Sequence, residues 1–280
     1  MAGTLFVVAT PIGNLEDISA RALAILGKVS VIACEDTRVT AKLLARYSIT
    51  TRTLSYHEHN EQRRATELLG TLEAGRDIAL ASDAGTPGIS DPGYRLVRAA
   101  IDKDIPVTTA PGPVAAIAAL TLAGLPTDSF FFAGFLPPKQ AARRQRLEAL
   151  SGVPGPLIFY ESPRRVPATL AEMAECLGNR PAAVVREITK KFEEVRRGSL
   201  DQLAAAYTAS GPPRGEVVLV VGPPGAPEIV DDAQIDAMLG QTLASMSLRD
   251  AVDHVVAASG RQRRDVYRRA LALSADASDP

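Results

Sequence analysis

The chain has 280 residues, 46% of them hydrophobic and 22% charged, with a net charge of −1. That is an ordinary globular composition, long enough for two domains. It excludes a globally basic nucleic-acid binder, so any such affinity must come from local patches.

Two cysteines, Cys34 and Cys176, offer neither a disulfide framework nor metal-type spacing, which suits a reducing compartment. The leading MAGTLFVVATP lacks a basic region and reads as a strand rather than a signal peptide. No apolar run reaches membrane-spanning length. A cytoplasmic protein with no membrane partner is expected.

Residues 5–9 (LFVVA) read as a strand buried on both faces, broken by TPIGN at 10–14. Ile18, Ala22, Ile25 and Leu26 then share one helical face. Residues 29–34 are the next strand, ending at EDTR (35–38), and Val39, Leu43, Leu44 and Tyr47 mark another helix. Residues 52–56 are a short strand, 61–73 a polar helix and 77–81 (DIALA) a buried strand. The loop SDAGTPGISDPG (82–93) follows. Three glycines and two prolines in twelve residues cannot be regular structure. Glycine lets a backbone approach a ligand closely, and proline stiffens the loop. Asp83 is expected at the carboxyl edge of the sheet, where open α/β sheets bind ligands. A helix over 94–103 and a strand over 107–110 lead into PGPVAAIAALTLAGLP. This alternation predicts a parallel, helix-covered sheet, and an N-terminal α/β domain over 1–118.

The register resets near residues 125–127. Strands are expected over 130–135, 157–160, 182–187, 193–197 and 216–221, with helices over 140–150, 166–176 and 200–207. Hairpin-like spacing predicts a mixed sheet in a second α/β domain over 119–225. A Pro/Gly linker at 223–227 opens a helical module over 226–280. There Ser247 and Asp250 have capping-box spacing, and Leu248, Val252, Val255 and Val256 share a face. A second helix over 262–273 carries Arg263, Arg264, Arg268 and Arg269.

Several chemistries are absent from the pattern. There is no G-x-x-x-x-G-K-[ST] phosphate loop and no G-x-S-x-G elbow, and the first strand is not followed by G-x-G-x-x-G. His57 and His59 have no matching ligand pair, so no metal is expected. What remains is a set of strand-end loops of small residues and prolines: 11–14, 83–93, 111–115, 160–162 and 215–216. Converging on a cleft, they offer backbone amides, carbonyls and apolar walls, with Asp83 and Glu216 as anions. That suits an adenosine body without phosphates, such as a sulfonium cofactor.

TPIGNLEDIS, ACEDTR, SDAGTPGISDPG, PGPVAAIAAL, FYESPRR, REITKKFEE and GEVVLVV together resemble the tetrapyrrole-methylase superfamily. Within it they resemble the branch that methylates a cytidine ribose 2′-hydroxyl in 16S rRNA. The resemblance spans about the whole chain. It implies a two-domain fold holding S-adenosylmethionine in the interdomain cleft, within a homodimer, and 16S rRNA of the small ribosomal subunit as partner. It places Pro11, Asp83, Gly85, Thr86, Pro87 and Ile89 at the cofactor. Val114, Ala115, Tyr160, Gly215 and Glu216 complete the set.

A ribose hydroxyl must lose its proton on or after attack, so a base or an anion-stabilising group is required nearby. Glu35, Asp36, Glu161 and Lys190 are the candidates. RNA contact needs cations, and three clusters supply them, at 139–146, 186–197 and 261–269. Arg38, Arg143, Arg144, Arg186, Arg263, Arg264 and Arg268 are the expected contacts. Two other readings remain open: a tetrapyrrole C-methyltransferase, and a non-catalytic ribosome-assembly factor that binds S-adenosylmethionine. The basic clusters count against the first, and the intact SDAGTPGIS and GEVV against the second.

Overall fold

The computed structural model describes residues 1–225 and 231–276. Five short strands, β1 (Leu5–Val8), β2 (Val31–Cys34), β3 (Thr53–Ser55), β4 (Ile78–Ala81) and β5 (Val107–Ala110), form a wholly parallel sheet in the order β3-β2-β4-β1-β5. β2 and β4 are buried at every position, as strands covered on both faces must be. Side chains alternate between two cores. Leu5, Val31, Ile78 and Leu80 pack on helices α3 (Glu61–Glu73) and α4 (Tyr94–Ile101). Val8, Ile32, Ala79 and Ala81 pack on α1 (Ala20–Leu26) and α2 (Thr37–Arg46).

The strand order sets where a ligand can enter. β1 connects toward β2 on one side, and its neighbour β4 connects toward β5 on the other. Between these two carboxyl ends lies the switch point at which open α/β sheets form a crevice. Thr10, just after β1, and Gly85, after β4, face each other there.

The second sheet holds β6 (Phe131–Phe135), β7 (Leu157–Glu161), β8 (Pro181–Arg186), β9 (Glu194–Ser199) and β10 (Val217–Val221), in the order β6-β7-β10-β8-β9. Only β6 and β7 pair in parallel. One face packs on α6 (Gln140–Leu150), α7 (Val166–Leu177) and α8 (Leu200–Ser210). The other packs on α5 (Ala115–Ala123), whose Ala116, Ala119 and Leu120 meet Ile158, Val185 and Val218. The expected domain division at 118/119 falls inside α5. Its small apolar residues lie on the second sheet, although the helix directly follows the first.

Residues Met1–Pro223 form one compact unit and Pro224–Pro280 another. The second holds three helices among its described residues, α9 (Asp232–Leu243), α10 (Leu248–Ser259) and α11 (Arg263–Asp276), one more than the sequence pattern indicated. α9 starts at a full capping box between Asp231 and Gln234. Its Ile235 and Leu239 join Val252, Val255, Val266 and Ala270 in a small core. Ser247 caps α10 as expected, accepting from the Asp250 amide at 3.3 Å. The last two linker positions, 226 and 227, lie outside the described residues. No helix among the described residues is long and apolar enough to cross a membrane.

Candidate active site

The first unit contains a cavity of about 370 Å³ at the switch point. Its first-sheet wall is the glycine loop, held by backbone and by two threonine hydroxyls. Thr10 donates its N–H to the Gly85 carbonyl at 2.9 Å, and Gly85 returns the bond at 3.1 Å. The Thr10 hydroxyl donates to the Ser82 carbonyl at 2.9 Å, and the Thr86 hydroxyl to the Pro113 carbonyl at 3.1 Å. Gly85 has φ +83°, a left-handed conformation that glycine adopts without strain. Ile12, Ile89, Val114 and Ala115 add apolar side chains to this wall, and Ser90 and Asp91 polar ones.

The second sheet supplies the opposite wall. Tyr160, at the end of β7, accepts the Ala116 N–H at 3.3 Å, tying that wall to the start of α5. Its ring meets Phe132 and Phe135 edge-on at centroid distances of 5.0 and 5.5 Å. Phe135 is 60% exposed and lines the cavity. Ile188, Gly215 and Glu216 close the rim.

Eight of the eleven expected cofactor residues line this cavity: Gly85, Thr86, Ile89, Val114, Ala115, Tyr160, Gly215 and Glu216. Pro11, Asp83 and Pro87 do not. Pro11 and Pro87 are buried behind the loops. Asp83 faces a neighbouring groove, where its Oδ1 accepts the Asp36 N–H at 2.9 Å. A loop's composition marks it as a binding loop but leaves open which way each side chain turns.

The catalytic candidates divide similarly. Glu35 and Asp36 line the Asp83 groove with Arg38, His57 and His59. Arg38 donates to Asp36 through side chain and backbone, which pulls the Asp36 carboxyl down to about 2. Burial and the nearby Asp83 carboxylate push Glu35 up. Glu161 lines the cavity but is 3% exposed and fully engaged. Its oxygens accept from the Ser162 N–H at 2.6 Å, the Arg165 Nε at 2.7 Å and the Thr169 hydroxyl at 2.8 Å. Glu161 is therefore a bracing residue for the turn after β7. The Lys190 Nζ donates to Glu187 at 3.0 Å and Glu216 at 3.1 Å, fastening the rim.

Most of the expected RNA-facing arginines are paired internally. Arg143 is a correction: it is 6% exposed, and it donates to both oxygens of buried Glu172 at 2.6 and 2.7 Å. A guanidinium so enclosed presents no charge to RNA. Arg144 pairs with Glu175, and Arg186 with Glu194. In the C-terminal unit Arg263 pairs with Asp253 at 2.8 Å and Arg268 with Asp265 at 3.2 Å. Arg38 is 88% exposed at its side chain despite its bond to Asp36, and Arg264 is exposed.

The sequence reading did not single out Asp91, Ser90, Ile188 or Phe135 as site residues, yet all four line the cavity. Asp91 and Ser90 lie in the loop over 83–93 expected at the cleft, whose cofactor assignments stop at Ile89, and Phe135 ends the strand expected over 130–135. A polar or aromatic residue at a strand's carboxyl end was the available signal.

Residues 4–204 match the family of Tetrapyrrole (Corrin/Porphyrin) Methylases, and residues 230–274 match the RsmI C-terminal HTH domain. A Mesorhizobium japonicum protein named ribosomal RNA small subunit methyltransferase I is 51% identical, over 96% of this chain and 92% of that one. An Erythrobacter litoralis protein of the same name is 50% identical, over 96% and 95%. Among solved structures, the Thermus thermophilus uroporphyrin-III C-methyltransferase superposes with a TM-score of 0.56 at 23% identity, over 79% of this chain and 94% of that one, a likeness of fold. Fold and sequence together define an S-adenosylmethionine-dependent methyltransferase of tetrapyrrole-methylase architecture. Within that class, the chain belongs to the ribosomal RNA small subunit methyltransferase I family.

Proposed function

We propose that the protein methylates the ribose 2′-hydroxyl of a decoding-centre cytidine in 16S rRNA, working in the cytoplasm as a homodimer on the small ribosomal subunit. The observation that carries this reading is the extent of the match. Its relatives named as small-subunit rRNA methyltransferases align over 96% of the chain, whereas the uroporphyrin-III enzyme covers 79%. The C-terminal module is matched by its own domain family.

The cavity fits the cofactor on its own chemistry. It is walled mostly by apolar side chains and backbone, with Tyr160 on one side and carboxylates at its edges. Gly85, Thr86, Ile89, Val114, Ala115, Tyr160, Gly215 and Glu216 would hold it, with Pro11, Asp83 and Pro87 shaping the loops behind. When bound, S-adenosylmethionine supplies a methyl carbon already activated by the adjoining sulfonium. The chain's own contribution is then largely placement of the acceptor oxygen in line with that carbon, and exclusion of water. Arg38, Arg144, Arg186, Arg263, Arg264 and Arg268 are the cations proposed to meet phosphate, at the cost of exchanging internal partners where they have them.

The test is methyl incorporation from labelled S-adenosylmethionine into small subunits lacking the native modification, followed by mapping of the labelled nucleotide. Label on a decoding-centre cytidine ribose is the expected result. Label on a base, on another region, or on a tetrapyrrole instead would overturn the assignment.

A further inference from the structure

Three carboxylates line the cavity: Glu161, Glu216 and Asp91. The first two are occupied. Glu161 accepts from Arg165, Thr169 and the Ser162 amide, and Glu216 pairs with Lys190. Asp91 has no ion-pair partner among the described residues, although it is half-buried.

The loop that carries Asp91 is built at a conformational cost. Gly88, Ser90 and Gly93 all have positive φ, at +84°, +63° and +146°. Ser90 is the costly one, since a side chain in the left-handed region is strained. Strain of this kind is held where the fold must aim a particular group, and here the next residue is Asp91. A Cβ on Gly93 would lie 3.0 Å from Leu80 Cδ2, so the loop passes close over β4 there.

From this geometry we infer that Asp91 is the base that accepts the proton of the acceptor hydroxyl. The inference rests on the ribose reading above and deepens it. As the 2′-oxygen bonds to the methyl carbon and the carbon–sulfur bond breaks, leaving its electron pair on sulfur, the hydroxyl proton passes to an Asp91 oxygen. It returns to solvent after the product leaves.

The surroundings agree with that role. Burial pushes the Asp91 carboxyl up to about 6, and the Glu35 and Asp83 carboxylates add to the push, while the Ser82 hydroxyl opposes it. Tyr160 faces it from β7 and is itself raised, mainly by burial. A base of this strength is ionised at neutral pH yet holds a proton better than an ordinary aspartate.

The test compares wild type with Asp91→Asn on small subunits at saturating cofactor. The turnover of Asp91→Asn is expected to fall about 10²–10⁴-fold. Its affinity for S-adenosylhomocysteine, read by calorimetry, should be unchanged. The wild-type rate should rise with pH through about 6 and then level, and the variant should lack that limb. A variant that turns over within about tenfold of wild type, or one that loses cofactor affinity instead, overturns the inference. Should the variant not fold, a carbon-13 titration of the wild-type Asp91 carboxyl decides: a midpoint in the ordinary aspartate range also overturns it. If wild type itself leaves ribose unlabelled, the acceptor assignment falls, and this inference with it. If wild type labels ribose and the variant does too, only this inference falls.

Discussion

Glu187 and Glu216 hold each other by two hydrogen bonds. The Glu187 N–H donates to the Glu216 carbonyl at 3.0 Å, and the Glu216 N–H donates to Glu187 Oε1 at 3.0 Å. Glu187 takes a left-handed φ of +50° to make this grip, and Lys190 crosses both carboxylates. Gly215 fits beneath it because a Cβ there would lie 2.3 Å from the Glu187 carboxyl. The cavity rim is therefore held from behind by a residue that does not line it.

Removing the grip should loosen the rim without unfolding the chain. Glu187→Ala forfeits a charged hydrogen bond worth about 1.5–3 kcal/mol, so cofactor affinity should fall about tenfold or more. Calorimetric titration with S-adenosylhomocysteine measures it. An unchanged dissociation constant would show that the rim does not depend on the clamp.

Gly85→Ala should cost stability as well as binding. At φ +83° a side chain adds about 1–2 kcal/mol of strain. The new methyl has ordinary room, 3.4 Å from Ile12 Cγ2, so the effect should come from the backbone. Urea denaturation reads the stability and cofactor titration reads the binding.

The buried pair of Arg143 and Glu172 predicts a large structural effect with no RNA phenotype. Cutting either residue to alanine strands a charge and should cost about 3–5 kcal/mol, while Arg143→Met with Glu172→Leu should recover most of it. Arg143's hydrogen bonds hold the Glu172 carboxyl below its ordinary value. A lowered acid stabilises the fold above its unfolded-state pKa, and the contribution fades as pH falls through the lowered value. Acid titration of stability should therefore show a wild-type loss on the acid side that the double variant lacks.

That pair also shows how far a sequence reaches. The strands were legible because buried parallel strands are bare apolar runs, and the glycine loop because its composition forbids regular structure. Arg143 read as a free cation because its partner stands 29 positions away on another helix. Asp83 and Asp91 share one loop and face different hollows, and only the turns between them decide which faces which. α9 escaped notice because it buries only Ile235 and Leu239, too few to show a periodicity. The candidate cofactor wall was largely readable. The proton acceptor was not, since its assignment depends on which carboxylates lack an ion-pair partner.

RNA docking by the C-terminal unit predicts a salt signature. Arg264→Ala and Arg268→Ala should each weaken small-subunit binding about equally across sequences. Each should reduce the slope of log affinity against log salt by about one. A slope that does not move in either variant would assign this face another role.

The bridge between Thr10 and Gly85 consists of two main-chain hydrogen bonds, flanked by the Thr10 hydroxyl, which donates to the Ser82 carbonyl and lies 3.4 Å from the Gly85 carbonyl. What heredity must preserve at that junction is thus a set of torsion angles, the left-handed one at Gly85 included, with a single hydroxyl beside them. Drift in the neighbouring side chains leaves the joint intact, which is how an architecture can outlast most of the letters that encode it.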